Sequence, residues 1–143
     1  MKRAQTFVAL AALLSATLVA EYHPPLFLAP GSPPERRSPL VLALHCDTGD
    51  CALLTGFPQT AGMRSGFVRL TPGASVGWHS TDTNEEQLVI LRGRGGAQIA
   101  GEPDRAFTAP AAVYIPPATR HNVLNTGTEL LEYVYVVVPA ARP

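Results

Sequence analysis

The chain has 143 residues, of which 46% are hydrophobic, and its formal net charge is zero because 11 Lys and Arg balance 11 Asp and Glu. A chain of this length corresponds to one domain and is long enough to bury a hydrophobic core. It has no run of basic residues, so we expect no nucleic acid partner. The 14 prolines and 12 glycines favour short segments joined by turns, which is typical of a β protein.

The first 20 residues have the pattern of a targeting segment. Lys2 and Arg3 precede an uncharged, largely apolar stretch from Thr6 to Ala20, which ends in small residues. This pattern is typical of a secretory signal peptide, and the stretch is short for a membrane span. We therefore predict a signal peptide over residues 1–20 and export to the periplasm or out of the cell. An uncleaved membrane anchor is the alternative.

The next segment, residues 21–39, contains six prolines. Proline is disfavoured inside helices, so this composition predicts an extended linker or arm. Such an arm can reach a second copy of the chain, which leaves a homodimer open. We expect the folded domain to occupy residues 40–143.

Within residues 40–143, short β-type runs alternate with turn signals, a pattern that predicts a β-sandwich or β-barrel. The run near residues 129–138 is the strongest strand prediction, because almost all its residues are β-branched, aromatic or aliphatic. The other predicted strands lie near residues 40–45, 51–56, 65–71, 75–80, 85–91, 96–100, 105–108, 112–115 and 121–126.

Two cysteines, Cys46 and Cys51, flank a four-residue, turn-rich spacer. In an exported protein the simplest prediction is a local disulfide between them. The alternative is a second metal site that includes the neighbouring His45. Two thiols and one imidazole are one ligand short of a closed zinc site, which favours the disulfide.

His79 and Glu86 lie on either side of a turn-rich segment. If residues 75–80 and 85–91 form a hairpin about Asp82 and Thr83, His79 lies directly opposite Glu86. The Cβ atoms of such a pair are about 4.5–5.5 Å apart, which suits two ligands of one ion. Thr81 shares a face with His79, because side chains alternate along a strand.

Two stretches of the chain resemble the two motifs of the cupin family. The segment that resembles the first motif is Gly73-x5-His79-x-Thr81-x4-Glu86-x6-Gly93. The segment that resembles the second is Pro116-x-Ala118-x2-His121-x3-Asn125. The resemblance implies an all-β fold, an antiparallel jelly-roll β-barrel with its site in the barrel mouth. It also implies that His79, Glu86 and His121 occupy the positions of metal ligands. The metal would be a divalent transition metal, with Fe, Mn, Ni, Zn and Cu all open.

The chain departs from the cupin pattern at three positions. Thr81 stands where the first motif has a second His, and Pro110 and Ala118 stand where the second motif has glycines. Two His and one Glu still form a facial triad that leaves coordination positions free, as in many non-haem Fe(II) oxygenases. We therefore expect oxygenase or isomerase-like chemistry on a small organic molecule. The alternative is a metal-free, non-catalytic sensor or carrier that binds a small molecule.

Three aromatic residues near these motifs bear on the barrel interior. Trp78 should point away from the face of His79 and pack in the core. Tyr133 and Tyr135 share one face of the last predicted strand and either line the barrel or belong to its core.

Overall fold

Eight β-strands make up the fold of residues 37–140, the part of the chain that the computed structural model describes. The strands are β1 (Gly49–Thr55), β2 (Arg64–Leu70), β3 (Asn84–Arg92), β4 (Arg94–Ile99), β5 (Arg105–Thr108), β6 (Ala111–Ile115), β7 (His121–Asn125) and β8 (Leu131–Pro139). They form a five-stranded sheet in the order β1-β2-β8-β3-β6 and a three-stranded sheet in the order β5-β4-β7. All pairings are antiparallel. The prediction of an all-β, jelly-roll barrel is confirmed.

The predicted signal peptide, residues 1–20, and most of the Pro-rich arm lie outside the described residues. Residues 37–39, the end of the predicted arm, have no regular secondary structure. Between residues 37 and 140, no helix is long and apolar enough to cross a membrane.

Alternation of buried and exposed side chains places the core between the two sheets. In β3, Leu88 and Ile90 are buried, whereas Val89 and Leu91 between and beyond them are exposed, as the pleat of a strand with one core-facing side requires. The core cluster consists of Val68, Leu70, Leu88, Ile90, Val123, Leu131 and Tyr133. The five-stranded sheet contributes all of these except Val123, which comes from β7.

Strand β8, the strongest strand prediction, lies at the centre of the larger sheet. It pairs with β2 on one side and with β3 on the other. Its residues Leu131, Tyr133 and Val137 are buried, while the alternate positions are partly covered. A strand flanked on both sides can satisfy all of its backbone hydrogen-bonding groups, which suits its unbroken apolar sequence.

Gly93 allows the chain to pass from the larger sheet to the smaller one. It separates β3 from β4 and has a φ of 84°, a left-handed conformation that other residues adopt at a cost. A Cβ atom at this position would also lie 2.5 Å from the backbone oxygen of Leu130. Both constraints explain why glycine occupies the last position of the first motif.

Two predicted strands are wrong. Residues 40–45 form no strand, and Leu40, Val41 and Leu44 are exposed, because these apolar residues have no neighbouring strand to pair with. Residues 75–80 form only two isolated bridges, at Ser75 and His79. The prediction that Trp78 packs in the core is also wrong, since its side chain is 45% exposed.

Cys46 and Cys51 lie at disulfide distance, with Cα atoms 5.7 Å apart. Cys46 is buried, and a guanidinium nitrogen of Arg69 donates hydrogen bonds to the backbone oxygens of Cys46 and Asp47. The closed loop is therefore tied to β2 just before β1 begins. With the two sulfurs joined, no thiolate is left for the alternative metal site beside His45.

Candidate metal centre

His79 and His121 are brought together by a backbone bridge between the 75–80 segment and β7. The amide of each residue donates a hydrogen bond to the carbonyl oxygen of the other, both at 2.9 Å. Their rings lie 4.3 Å apart between centroids. His121 is completely buried, whereas His79 is exposed at the barrel mouth.

Glu86 reaches the same point from β3, in the other sheet. Its Oε2 atom lies 3.2 Å from Nε2 of His121. The distance is short, but the contact does not meet the geometry of a hydrogen bond, and neither buried atom has another partner within residues 37–140. We therefore treat the pair as an electrostatic contact between two unsatisfied groups. A buried polar atom without a partner costs about 1–3 kcal/mol, so this pair requires an explanation.

The hydrogen bonds of the two imidazoles orient their free nitrogens. Nδ1 of His79 lies 2.9 Å from the carbonyl oxygen of Gly77, and Nδ1 of His121 lies 3.0 Å from that of Thr119. A carbonyl oxygen only accepts, so Nδ1 carries the proton in each neutral ring. Each Nε2 therefore keeps its lone pair, and contacts of this kind orient metal-binding histidines in many proteins.

One ligand atom from each of His79, Glu86 and His121 lies within 4.8 Å of the others. Metal–ligand bonds of about 2.0–2.2 Å at right angles place two ligand atoms about 3 Å apart, close to the 3.2 Å between Glu86 and His121. An ion between them would satisfy both buried atoms. The donor set and its geometry therefore fit a divalent transition metal.

Thr81 faces the same cavity but does not join this group. It is buried, and its hydroxyl donates a hydrogen bond of 2.9 Å to the backbone oxygen of Asn84. The Asn84 amide in turn donates to the backbone oxygen of Thr81 at 3.0 Å. Its hydroxyl thus stabilises the turn before β3, at the position where the family motif has a second imidazole.

The predicted cross-strand pairing of His79 with Glu86 is wrong, although the two residues do meet. Strand β3 uses both of its edges for β6 and β8, so that Glu86 pairs with Ile115 and Val137. No edge of β3 remains for residues 75–80. His79 instead faces Glu86 across the barrel mouth, held there by its bridge to His121.

A cavity of about 280 Å³ opens beside the three residues. The sequence had placed Tyr133 and Tyr135 either in the core or along the barrel wall, and the structure shows that both line this cavity. Sequence patterns gave no signal for Asp50 and Arg64, because their roles depend on how β1 and β2 join the sheet. The lining consists of Asp50, Arg64, Val68, Val76, His79, Ser80, Thr81, Asp82, Glu86, Val123, Tyr133, Tyr135 and Val137.

Burial and nearby charge shift the titration of several cavity groups. Burial raises the pKa of the Tyr133 phenol far above its usual value, and the negative charges of Glu86 and Asp50 raise it further. Burial likewise raises the pKa of Tyr135. For His121, burial lowers the pKa, but the contact with Glu86 and the hydrogen bond to Thr119 outweigh it, so the net shift is upward.

A protein-family model described as a cupin domain matches residues 66–138, about half of the chain. This chain belongs to the cupin family. The matched residues run from β2 to β8 and include all three candidate ligands of this cupin. A search of the curated proteins found no match.

Several solved structures resemble this protein in fold. A Bacillus halodurans protein matches with a TM-score of 0.62 and 22% identity, over 74% of this chain and 85% of its own. A cupin 2 conserved barrel domain protein from Salinispora arenicola matches with a TM-score of 0.55 and 27% identity, over 73% and 89%. A predicted oxalate decarboxylase from Thermotoga maritima matches with a TM-score of 0.53 and 19% identity, over 71% and 100%.

Proposed function

We propose that this cupin binds one divalent transition metal through His79, Glu86 and His121. The supporting observation is the buried contact between Glu86 Oε2 and His121 Nε2, 3.2 Å apart and without a hydrogen-bond partner within the described chain. Two imidazoles and one carboxylate suit Fe, Mn, Ni, Zn or Cu. The proton on each Nδ1 leaves Nε2 free to bind the ion.

The bound metal would serve oxygenase or isomerase-like chemistry on a small organic molecule. Such an ion polarises a substrate oxygen or activates dioxygen when it is present. Three protein ligands leave coordination positions free for these molecules, since the Thr81 hydroxyl is engaged with Asn84. The adjoining cavity of about 280 Å³ is at the small end of the range for small-molecule sites.

We further propose that the protein works outside the cytoplasm. The cysteine pair at disulfide distance supports an oxidising compartment, and the basic and apolar pattern of residues 1–20 supports export. N-terminal sequencing of protein isolated from its own host tests this proposal. A first residue near Glu21 is expected, whereas a chain that begins at Met1 would contradict cleavage.

A second candidate is a metal-free binding module that holds a small molecule without turnover. Thr81 favours it, because a neutral hydroxyl that is already hydrogen bonded replaces an imidazole of the family motif. The same cavity would then hold the ligand through His79 and Glu86 as hydrogen-bonding groups.

Metal analysis of protein purified without a histidine tag separates the two candidates. We expect about one metal ion per chain, lost in a His121→Ala variant and retained in His45→Ala. His45 is a matched control, since its imidazole is exposed and does not line the cavity. A metal content near zero that does not change in His121→Ala would reject the metal site and favour the binding module.

Restoring the family imidazole provides a second test. Thr81→His should raise metal affinity, because the residue is buried in the cavity wall beside the other ligands. Thr83→His is the control, placed in the same turn but exposed. Equal metal affinity in the wild type and in both variants would count against a metal at this point.

A further inference from the structure

Tyr135 lies across β2 because Gly66 has no side chain. The two residues face each other in the β2–β8 pairing. A Cβ atom at Gly66 would lie 2.5 Å from Cε1 and 2.6 Å from the hydroxyl oxygen of the Tyr135 ring. Any larger residue would displace the ring. Gly66 therefore provides the space in which the phenol oxygen of Tyr135 lies over β2.

Asp50 approaches the same phenol from the next strand. In the β1–β2 pairing it lies opposite Val68, two residues from Gly66, and such diagonal neighbours are within reach of long side chains. Burial raises the pKa of Asp50, while the nearby Tyr135 phenol opposes that rise. Both side chains line the cavity beside the candidate metal ligands. They form a polar pair contributed by β1 and β8.

Four valines and three hydroxyl-bearing residues also line the cavity: Val68, Val76, Val123, Val137, Ser80, Thr81 and Tyr133. Its charged groups are the carboxylates of Asp50, Asp82 and Glu86 and the guanidinium of Arg64. Negative charge therefore predominates before any metal is added. A carboxylate accepts hydrogen bonds and donates none, so Asp50 suits a ligand group with an O–H or N–H.

We propose that Asp50 and Tyr135 orient the substrate of this cavity, and that this substrate is a small neutral or cationic molecule that presents a hydroxyl or amino group to Asp50. This inference depends on the proposed function in one respect. At the end of the substrate away from Asp50, an oxygen would face the metal. The cavity of about 280 Å³ is at the small end of the range for small-molecule sites. The substrate is thus a small molecule.

Three two-carbon probes of different charge test this inference: ethanolamine, ethylene glycol and oxalate. Their binding is followed by NMR titration of the zinc-loaded protein, and zinc content and thermal unfolding are measured on the same samples. Asp50→Asn should weaken ethanolamine binding about tenfold, which corresponds to about 1.4 kcal/mol, and should not weaken oxalate binding. Tyr135→Phe and Gly66→Ala should also weaken ethanolamine binding, the second by displacing the ring.

Asp47→Asn is the matched control, because Asp47 belongs to the same cysteine-closed loop and is exposed like Asp50, but does not line the cavity. It should bind all three probes as the wild type does. Unchanged ethanolamine binding in both Asp50→Asn and Tyr135→Phe would overturn the inference. Oxalate binding that is tighter than ethanolamine binding and is lost in Arg64→Gln would also overturn it, since the substrate would then be an anion.

The zinc content distinguishes failure of the metal proposal from failure of this inference. A wild-type protein that takes up no zinc rejects the proposed function, and the ethanolamine comparison is then made on the metal-free protein. A tenfold loss in Asp50→Asn would still support the polar pair, whereas equal binding would overturn it. Zinc at about one ion per chain together with equal binding in all variants would reject the inference alone.

Discussion

Asn125 offers the clearest test of how the second motif positions His121. Its side chain is 1% exposed. Its amide nitrogen donates to the backbone oxygens of Leu70 at 2.9 Å and Glu129 at 2.8 Å, and its amide oxygen accepts from Gly127 at 2.8 Å. These bonds connect the end of β7, the strand that begins with His121, to β2 and to the turn before β8.

Asn125→Ala removes all three hydrogen bonds. At about 1 kcal/mol each, the free energy of unfolding should fall by about 3 kcal/mol. For a domain of this size, that corresponds to a fall in Tm of roughly 12–24 °C. Asn122→Ala is a graded comparison, because Asn122 has two such bonds, to Gly77 and Gln98. This substitution should lower the free energy of unfolding by about 2 kcal/mol.

Asn125→Asp tests the same geometry by another route. The introduced carboxylate would place an oxygen against the carbonyl oxygens of Leu70 and Glu129, with no proton to share. The variant should be at least as unstable as Asn125→Ala at neutral pH. It should regain stability on acidification, since burial raises the pKa of the new carboxyl in the folded state and protonation restores a donor.

Urea and thermal unfolding by circular dichroism, at several pH values, measure these differences. The reasoning would be refuted by an Asn125→Ala variant whose free energy of unfolding lies within about 1 kcal/mol of that of the wild type. It would also be refuted by an Asn125→Asp variant whose stability, relative to Asn125→Ala, does not change with pH.

Two further predictions concern His121 and the cysteine pair. Because the pKa of His121 is raised above 6.5 in the folded, metal-free protein, its stabilising charge is fully present below pH 6.5 and is lost as pH rises through the raised value. The Tm of metal-free wild type should therefore fall across that window, and a Tm profile as flat as that of His121→Gln would contradict this. Reduction of Cys46–Cys51, five residues apart, should lower stability by roughly 2 kcal/mol, seen by calorimetry with and without reductant. A Cys46→Ser/Cys51→Ser variant should not respond to reductant, and an equal response in both proteins would be the contrary result.

The fold could be predicted because the two cupin motifs are present and because short β-type runs alternate with turn residues. Runs of β-branched residues indicated β8, and turn residues separated the other strands. The false strand at residues 40–45 shows the limit of this approach. Its apolar residues are exposed, since strand formation depends on a neighbouring strand that local sequence does not specify.

The three candidate ligands were predictable from the motif spacing, but their arrangement was not. A hairpin between His79 and Glu86 is the simplest local interpretation. It fails because β6 and β8 already occupy both edges of β3. Asp50, Arg64 and Tyr135 required the structure, since they reach the cavity only through the register of β1, β2 and β8.

Ala118 shows how a departure from the family pattern is tolerated. It has a φ of 57°, a left-handed conformation that fits the turn glycine of the second motif and costs alanine about 1–2 kcal/mol. Its amide donates a hydrogen bond to the backbone oxygen of Asp82. That bond links the turn before His121 to the turn before Glu86, so the backbone shape is kept although the glycine is lost.

The origin of the ligands in different sheets connects stability with function. Glu86 belongs to the five-stranded sheet and His121 to the three-stranded sheet, so an ion bound by both would cross-link the barrel. Without an ion, two buried atoms 3.2 Å apart lack hydrogen bonds, and a proton on His121 is the remaining way to offset the negative charge of Glu86. Metal and proton would therefore compete for one position. Keeping such a pair buried costs more than a hydrophobic pair would, and an ion bound between the two atoms would offset that cost.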